Sequence, residues 1–253
     1  MGKLDGRVAL VSGASRGIGR GCAVAFAREG ADVVVNYLSH PEDAAETARM
    51  VEEFGRRALV VKADVSQRAQ VEAMFEAAVQ RFGHIDIAVA NAYRSIRAPF
   101  IELTPEAFEQ TLAVTLFGAF HVGHVAARLM VEQGTGGKII FISSIHSEQP
   151  FALSAAYNAA KAAVNNLAMT MANELARYRI HVNVIAPGWT DTPGERQFAT
   201  EQELQAAAKK LPFGRLATID EIGRVAAFLA SDDASYVSGA YIRVDGAEMT
   251  ALR

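Results

Sequence analysis

The chain has 253 residues, of which 51% are hydrophobic and 21% are charged, and its formal net charge is −3. That length and balance predict one globular domain, while the slightly acidic charge argues against nucleic-acid or acidic-membrane partners, which require a basic patch. No apolar run reaches the roughly 18 residues of a membrane span, no targeting segment is recognisable, and a single cysteine excludes an internal disulfide. We therefore expect a cytoplasmic protein.

Seven short apolar segments alternate with longer segments of helical periodicity. They are Val8–Ser12, Asp32–Asn36, Ala58–Val61, Ile85–Val89, Lys138–Ile142, His181–Ile185 and Tyr241–Val244. Several are continuously apolar and rich in valine and isoleucine, as strands buried on both faces are. The alternation predicts an α/β fold in which helices cover both faces of a parallel sheet. No shift in composition marks a boundary, so residues 1–253 are expected to form a single domain.

The expected helix ends agree with this pattern. Thr104 before Pro105 predicts a helix start, because threonine caps a helix well and proline suits its first position. Thr218 and Glu221 have the spacing of a capping box. Gly30 lies where the first helix is expected to end.

The first predicted strand is followed by Gly13-Ala-Ser-Arg-Gly17-Ile-Gly19 and then by a helical pattern. Glycines at this spacing allow a tight turn and a close approach of the backbone to a phosphate. The start of the helix adds unpaired N–H groups and a partial positive charge. We therefore predict that the turn binds the pyrophosphate of a dinucleotide; the alternative is a tight turn that binds no ligand.

The end of the second predicted strand bears on the choice between NAD and NADP. An acidic residue there would accept hydrogen bonds from the ribose 2′-hydroxyl and repel a 2′-phosphate. The sequence has no acid at this point and offers Asn36, Tyr37 and Ser39 instead. Arg16 in the glycine turn suits a phosphate, unless it is only a solvated surface charge. We predict that NADP(H) is preferred over NAD(H).

A tyrosine and a lysine four residues apart form the candidate catalytic pair. Tyr157 and Lys161 lie in an alanine-rich segment of helical pattern, where residues at this spacing share one face. The ammonium, together with the positive nicotinamide of an oxidised cofactor, is expected to lower the phenol pKa from about 10. Ser144, at the end of the fifth predicted strand, is placed to bind the substrate oxygen. The alternative is a surface lysine beside a half-buried tyrosine.

Taken in order along the chain, these motifs resemble those of the short-chain dehydrogenase/reductase family. The matching residues are Gly13 to Gly19, Asp64-Val65, Asn91-Ala92, Ser144, Tyr157, Lys161, Pro187-Gly188, Thr192 and the tail from Val237 to Gly246. The resemblance implies a single Rossmann-type domain with a seven-stranded parallel sheet. It also implies an oxidoreductase that transfers hydride between a nicotinamide cofactor and a carbonyl or alcohol.

The resemblance also assigns roles to individual residues. Ser144 would anchor the substrate oxygen, Tyr157 would act as general acid and base, and Lys161 would bind the ribose and adjust the pKa of the tyrosine. The other cofactor contacts would come from Gly13, Ser15, Arg16, Gly17, Ile18, Gly19, Asp64, Val65, Asn91, Ala92, Pro187, Gly188, Thr190 and Thr192. The family's usual dimer or tetramer would pack through two long helices, roughly 105–132 and 154–177.

Two positions depart from the family pattern. Thr115 stands where the family has a fourth catalytic residue, an asparagine that binds a water molecule. A threonine cannot reproduce the carboxamide, although its backbone carbonyl could still bind the water. Tyr93 stands where the family has a glycine beside the cofactor. These departures leave open a second interpretation, a low-turnover NADP(H)-binding sensor or regulatory subunit.

The substrate walls are expected to include Tyr93, Ser144, His146 and Trp189. The only long irregular stretch that the sequence predicts is 187–200, and it follows the end of a strand. We therefore expect a lid-like loop at about 188–211 to cover these walls. These walls leave the small-molecule substrate open among 3-oxoacyl thioesters, ketones and sugars.

Two further patterns are expected to have no part in catalysis. His121 and His124 lie three residues apart on a predicted helix but have no third ligand, so we expect no metal site and place them at a packing or subunit interface. Cys22, near the start of the first helix, is expected to pack as a small apolar residue.

Overall fold

The computed structural model describes residues 2–250 of the chain. Its strands are β1 (Val8–Val11), β2 (Asp32–Tyr37), β3 (Ala58–Lys62), β4 (Ile87–Ala90), β5 (Gly137–Ile142), β6 (Ile180–Pro187) and β7 (Tyr241–Val244). They form one seven-stranded sheet in the order β3-β2-β1-β4-β5-β6-β7, and every neighbouring pair is parallel. The predicted sheet is thus confirmed.

The α-helices of the described residues are α1 (Gly17–Arg28), α2 (Pro41–Glu52), α3 (Arg68–Phe82), α4 (Pro105–Leu112), α5 (Ala119–Gln133), α6 (Ala155–Leu175), α7 (Glu201–Ala208) and α8 (Ile219–Ala230). Two hydrophobic clusters join them to the sheet. One contains side chains of α1, α2 and α8, among them Phe26 and Leu229. The other contains side chains of α3, α5 and α6, among them Met74 and Met130. Helices therefore cover both faces, which explains why every position of β1 and β4 is buried.

The expected helix ends are confirmed. The Thr104 hydroxyl accepts a hydrogen bond from the backbone N–H of Ala107 at 3.2 Å, at the start of α4. Thr218 and Glu221 form a reciprocal capping box at the start of α8. Gly30, just beyond α1, has φ = 101°, a conformation that glycine adopts without the strain of a side chain.

The long helix predicted at 105–132 is interrupted. Between α4 and α5, residues Ala113–Gly118 form a π-helical segment, a wider turn that often occurs at functional sites. The span Pro105–Gln133 is long enough to cross a membrane, and it contains an 18-residue stretch that is apolar enough to do so, with a mean hydropathy of 1.4. In this fold its α5 part packs against β4, β5 and α6 as a core helix.

The cleft of the molecule lies where the strand order reverses. From β1 the chain proceeds to β2 and β3 on one side, and from β4 to β7 on the other, so the connections that leave β1 and β4 diverge. Ligands bind at such a switch point in open α/β sheets. Two irregular segments border it: 187–200 was predicted, but 91–99 was not, so the prediction of only one long irregular stretch is wrong.

Candidate active site

A cleft of about 1100 Å³ lies beyond the carboxyl ends of β1, β4, β5 and β6. The predicted site residues that line it are Gly13, Ser15, Arg16, Gly17, Ile18, Asn36, Tyr37, Ser39, Asp64, Val65, Asn91, Ala92, Tyr93, Ser144, His146, Tyr157, Lys161, Pro187, Gly188, Trp189, Thr190 and Thr192. Gly19 and Thr115 do not line it. The structure therefore brings nearly all predicted cofactor and substrate residues to one continuous surface.

The glycine turn is held in place from below by an asparagine side chain. The Asn91 amide donates hydrogen bonds to the backbone oxygens of Ser12 at 2.8 Å and Gly13 at 3.1 Å. A Cβ at Gly19 would lie 2.4 Å from the Gly13 oxygen, so only glycine lets α1 approach the turn this closely. Gly19 thus shapes the turn from beneath the cleft surface.

The turn fits a dinucleotide phosphate. Gly13 and Gly17 have φ = 62° and 59°, so the turn needs the conformational freedom of glycine. Arg16 precedes α1 without capping it, and no acidic residue lies in the first helical turn. The N–H groups and positive end of α1 are therefore left for an anion, and Gly13, Ser15 and Ile18 line the same surface.

The end of β2 differs from expectation at one residue. The buried Asn36 amide accepts a hydrogen bond from the N–H of Gly13 at 3.0 Å and donates to the oxygen of Ala63 at 3.1 Å. These bonds tie the glycine turn to β2 and β3. The Asn36 side chain is therefore not free to bind a 2′-phosphate, contrary to the prediction. Arg16 and Ser39 line the cleft at this end.

Asp64 also lines the cleft, where the loop after β3 begins. Its Oδ1 accepts hydrogen bonds from the backbone N–H and the hydroxyl of Ser66, at 2.9 and 2.7 Å. These bonds fix the direction of the carboxylate. The chain thus orients the one acidic side chain that the resemblance assigns to the adenine.

Three polar side chains meet deep in the cleft. Tyr157 and Lys161 project from α6, and the Lys161 Nζ lies 5.4 Å from the centre of the Tyr157 ring. That Nζ donates a hydrogen bond to the backbone oxygen of Ile142 at 2.6 Å. Ser144 follows β5, its hydroxyl accepts from the N–H of His146 at 3.2 Å, and it faces Tyr157 closely enough to lower the pKa of that phenol. The helix spacing and the strand end thus place all three together.

Burial dominates the ionisation of this cluster. Burial raises the pKa of Tyr157, with a further rise from Tyr93, and the neighbouring Ser144 side chain offsets this rise only in part. Without the cofactor charge, the pKa of Tyr157 is therefore raised, and the lowering expected with an oxidised nicotinamide bound stays a prediction. Burial also lowers the pKa of Lys161 to about 7, so this lysine exchanges its proton near neutral pH.

Thr115 lies in the π-helical segment and points away from the cleft surface. Its hydroxyl donates to the backbone oxygen of Arg94 at 2.7 Å and accepts from the N–H of the same residue at 3.0 Å. Both capacities of the hydroxyl are thus used to hold segment 91–99 against the helix. The position occupied by an asparagine in the family acts here as an anchor for that segment.

The structure adds three residues that the sequence did not single out. Arg97 lies with its guanidinium carbon 3.7 Å from the centre of the Phe198 ring and its Nη2 3.9 Å from the Glu195 carboxylate. That carboxylate accepts a hydrogen bond from the Trp189 Nε1 at 3.0 Å. Asn158 supports His146 at a hydrogen-bond distance of 2.8 Å. No local pattern marks Arg97, Glu195 or Asn158, because each acts through a residue from another segment.

The two helix histidines lie apart from the cleft. The His121 Nδ1 contacts the backbone oxygen of Val65 at 2.9 Å. His124 lines a separate groove between α5 and α6, and burial lowers its pKa. Among residues 2–250 there is no group of three or more side chains that could hold a metal ion. Cys22 is buried within the first helix, as predicted.

Comparison with known proteins gives a consistent result. A family model described as Enoyl-(Acyl carrier protein) reductase matches residues 13–247. The chain is 40% identical over 248 residues to an uncharacterized oxidoreductase of Methylorubrum extorquens, covering 97% of this chain and 99% of that protein. It is 39% identical over 244 residues to 3beta-hydroxysteroid dehydrogenase 1 of Eggerthella lenta, covering 96% and 94%.

A solved structure extends the match to three dimensions. The crystal structure of a short-chain type dehydrogenase/reductase from Mycobacterium marinum superposes with a TM-score of 0.92 at 33% identity, covering 98% of this chain and 97% of that one. Identity at this level over nearly the full chain shows common family membership. The protein is therefore a member of the short-chain dehydrogenase/reductase family, whose oxidoreductases use NAD(P)(H) to interconvert alcohols and ketones.

Proposed function

We propose that the protein is an NADP(H)-dependent oxidoreductase that transfers hydride between the nicotinamide and a small carbonyl or secondary alcohol. The observation that carries the proposal is the meeting of Ser144, Tyr157 and Lys161 at one end of a cleft whose other end is the glycine turn. Ketones, 3-oxoacyl thioesters and sugars are the substrate types considered, because the wall combines aromatic with polar side chains.

In the reduction direction, the hydroxyls of Ser144 and Tyr157 donate hydrogen bonds to the substrate oxygen and polarise the carbonyl. A reduced nicotinamide bound in the cleft would supply the hydride. Tyr157 transfers its proton to the oxygen as negative charge develops there, and it takes the proton back in the oxidation direction. The raised pKa of Tyr157 keeps the hydroxyl protonated before reduction, in the form that can donate.

Lys161 serves this step in two ways. One of its three N–H bonds is directed to the Ile142 oxygen, which fixes the ammonium and leaves two donors for the ribose hydroxyls. In its protonated form, its positive charge would also stabilise the Tyr157 phenolate that forms during oxidation. Thr115 would act only indirectly, by holding segment 91–99, because its hydroxyl is already engaged with Arg94.

The preference for NADP(H) is supported by charge at the adenosine end of the cleft. Arg16, Tyr37 and Ser39 line that end, and β2 finishes without a carboxylate that would repel a 2′-phosphate. A guanidinium can form paired hydrogen bonds to a phosphate.

The chain is also proposed to act as a cytoplasmic homo-oligomer, a dimer or a tetramer. Support comes from a groove of about 470 Å³ between α5 and α6 whose surface is mainly apolar and includes Phe120 and Met171. A second copy of the chain could cover this surface. Light scattering of the purified protein tests the assembly. A monomer at all concentrations would remove this part of the proposal.

The test of the activity is the oxidation of NADPH and NADH with a panel of ketones, 3-oxoacyl thioesters and quinones, and the reduction of NADP with sugars. We expect turnover with at least one panel member, faster with NADPH, that disappears in Tyr157→Phe. The competing function is a low-turnover NADP(H) sensor, which the engagement of Thr115 by Arg94 favours. Tight NADPH binding without turnover on any panel member would support the sensor.

A further inference from the structure

His146 is held in a fixed orientation at the reacting end of the cleft. Its ring stacks on Phe151 with centroids 4.2 Å apart and planes 21° apart. Its centroid also lies 5.3 Å from that of Tyr157, at a nearly perpendicular angle of 84°. The histidine thus lies within reach of a group attached beside the reacting carbon.

The hydrogen-bond partners of His146 determine which ring nitrogen carries the proton. The Asn158 side chain contacts the backbone oxygen of Phe151 at 2.9 Å, and an oxygen can only accept, so the Asn158 NH₂ group must face it. The amide oxygen of Asn158 therefore faces the His146 Nδ1, 2.8 Å away. Because that oxygen also only accepts, Nδ1 must carry a hydrogen.

The hydrogen on Nδ1 determines which hydrogen bonds the other ring nitrogen of His146, Nε2, can form. In a neutral imidazole with hydrogen on Nδ1, Nε2 has a free lone pair and can only accept a hydrogen bond. Within residues 2–250 this Nε2 has no hydrogen-bond partner, and protein atoms do not enclose it. The neutral ring is favoured because burial, Arg97 and Lys161 lower the pKa of His146, against an opposing effect of Asn158.

We propose that His146 Nε2 accepts a hydrogen bond from a hydroxyl group on the carbon next to the reacting carbon. The substrate class would then be α-hydroxy ketones and the corresponding vicinal diols, with Asn158 as a positioning residue that fixes the acceptor. This inference rests on the proposed function, since it assumes that the reacting oxygen lies at Ser144 and Tyr157.

Three ring alcohols of similar shape provide the test: cyclohexanol, trans-1,2-cyclohexanediol and trans-2-methoxycyclohexanol. The methyl ether keeps the second oxygen but cannot donate a hydrogen bond. We expect kcat/KM with NADP to be about tenfold higher for the diol than for either of the others, which is the effect of one hydrogen bond in a closed site. Equal values for the diol and the ether would overturn the proposal.

Variants of His146 and Asn158 test whether the diol preference depends on the hydrogen-bond acceptor or on the shape of the site. His146→Phe keeps the ring against Phe151 without an acceptor, and the diol-to-ether ratio should fall to about one. His146→Gln places an amide oxygen near the position of Nε2 and should restore part of the ratio. Asn158→Leu should lower the ratio through KM rather than kcat. His84 lies remote from the cleft and is paired with Asp86, so His84→Phe is the matched control.

Binding provides a readout that is independent of turnover. Trp189 is the only tryptophan of the chain and lines the cleft, so its fluorescence reports occupancy. Tyr157→Phe titrated with the three alcohols, with and without NADP, should bind the diol most tightly. No preference for the diol, or no binding of it, would overturn the proposal. Absence of turnover together with preferred diol binding would count against the proposed activity alone.

Discussion

The two ends of the cleft are built in different ways. The dinucleotide end consists of short turns directly after β1, β2 and β3, held by side chains such as Asn36 and Asn91 that bond to backbone atoms. The substrate end contains Ser144, His146 and Tyr157 and is bordered by segments 91–99 and 187–200, which hold each other through contacts such as that between Arg97 and Phe198. The first end is fixed by the sheet, and the segments that border the second are held by side-chain contacts, so changes to side chains that belong to only one end should have separable effects.

The largest effect is expected at the point where the two ends meet. Tyr157→Phe removes the only proton that the mechanism transfers, so kcat should fall by about 10² to 10⁴-fold. The dissociation constant for NADPH, measured by fluorescence, should change little. Tyr236→Phe, a fully exposed tyrosine, is the control. A variant that keeps wild-type turnover would exclude Tyr157 as the acid and base.

The dinucleotide end can be tested through cofactor choice. Arg16→Ala should weaken NADPH binding by about 1.5–3 kcal/mol, or roughly ten- to a hundredfold, which is typical of a charged hydrogen bond. NADH binding and the KM for substrate should change much less, because the guanidinium would contact only the 2′-phosphate. Lys209→Ala, an exposed cation at the end of α7, is the control. Equal losses for both cofactors would mean that Arg16 does not discriminate between them.

The substrate end should respond to loss of the contact between its two segments. Arg97→Ala removes the cation–π contact with Phe198, worth about 0.5–1 kcal/mol, and should raise the substrate KM about two- to fivefold. Cofactor affinity should stay unchanged, and proteolysis within 187–200 should become faster. Arg97→Lys keeps the charge but loses the planar stacking, so it should give an intermediate KM. An effect on NADPH binding instead would contradict the separation of the two ends.

The smallest effect concerns Glu221 at the start of α8, the helix that packs against α1 behind the dinucleotide end. The Arg215 ion pair and the capping contacts of Thr218 lower the pKa of Glu221 to about 2. An acid with a lowered pKa stabilises the fold above its ordinary pKa of 4.5 and loses that contribution as the pH falls towards 2.

Glu221→Gln should therefore reduce the free energy of unfolding by about 0.5–1 kcal/mol at neutral pH, as loss of a cap does. The difference from the wild type should shrink between pH 4.5 and 2. Thermal unfolding across this pH range measures it, with the exposed Glu53→Gln as control. A difference that grows as the pH falls would show that the pKa of Glu221 is not lowered by folding.

The sequence was informative wherever a function depends on neighbours along the chain. The glycine turn, the spacing of Tyr157 and Lys161, and the position of Ser144 at a strand end are local patterns, and the structure brings them to one cleft. The engagement of Asn36 with Gly13, like that of Thr115 with Arg94, joins residues more than 20 positions apart. Such contacts follow from packing, so no local pattern announces them.

The ionisation of the site was also beyond sequence reasoning. A tyrosine four residues from a lysine predicts a lowered phenol pKa only if the lysine stays charged and the pair stays hydrated. Burial reverses the direction for Tyr157 and lowers the pKa of Lys161 to about 7. The degree of enclosure depends on residues such as Tyr93, whose ring lies 5.9 Å from that of Tyr157.

Asn91 belongs to both ends of the cleft, since its amide holds the glycine turn and its backbone begins segment 91–99. A cofactor that restrains the turn therefore also restrains the start of segment 91–99, which a substrate would contact, so the two ligands would share one restraint. Two ligands that share such a restraint bind with positive cooperativity, and linkage makes the gain equal in both directions. Cofactor should thus raise substrate affinity by the same factor as substrate raises cofactor affinity, and shortening the side chain in Asn91→Ala should reduce both factors together.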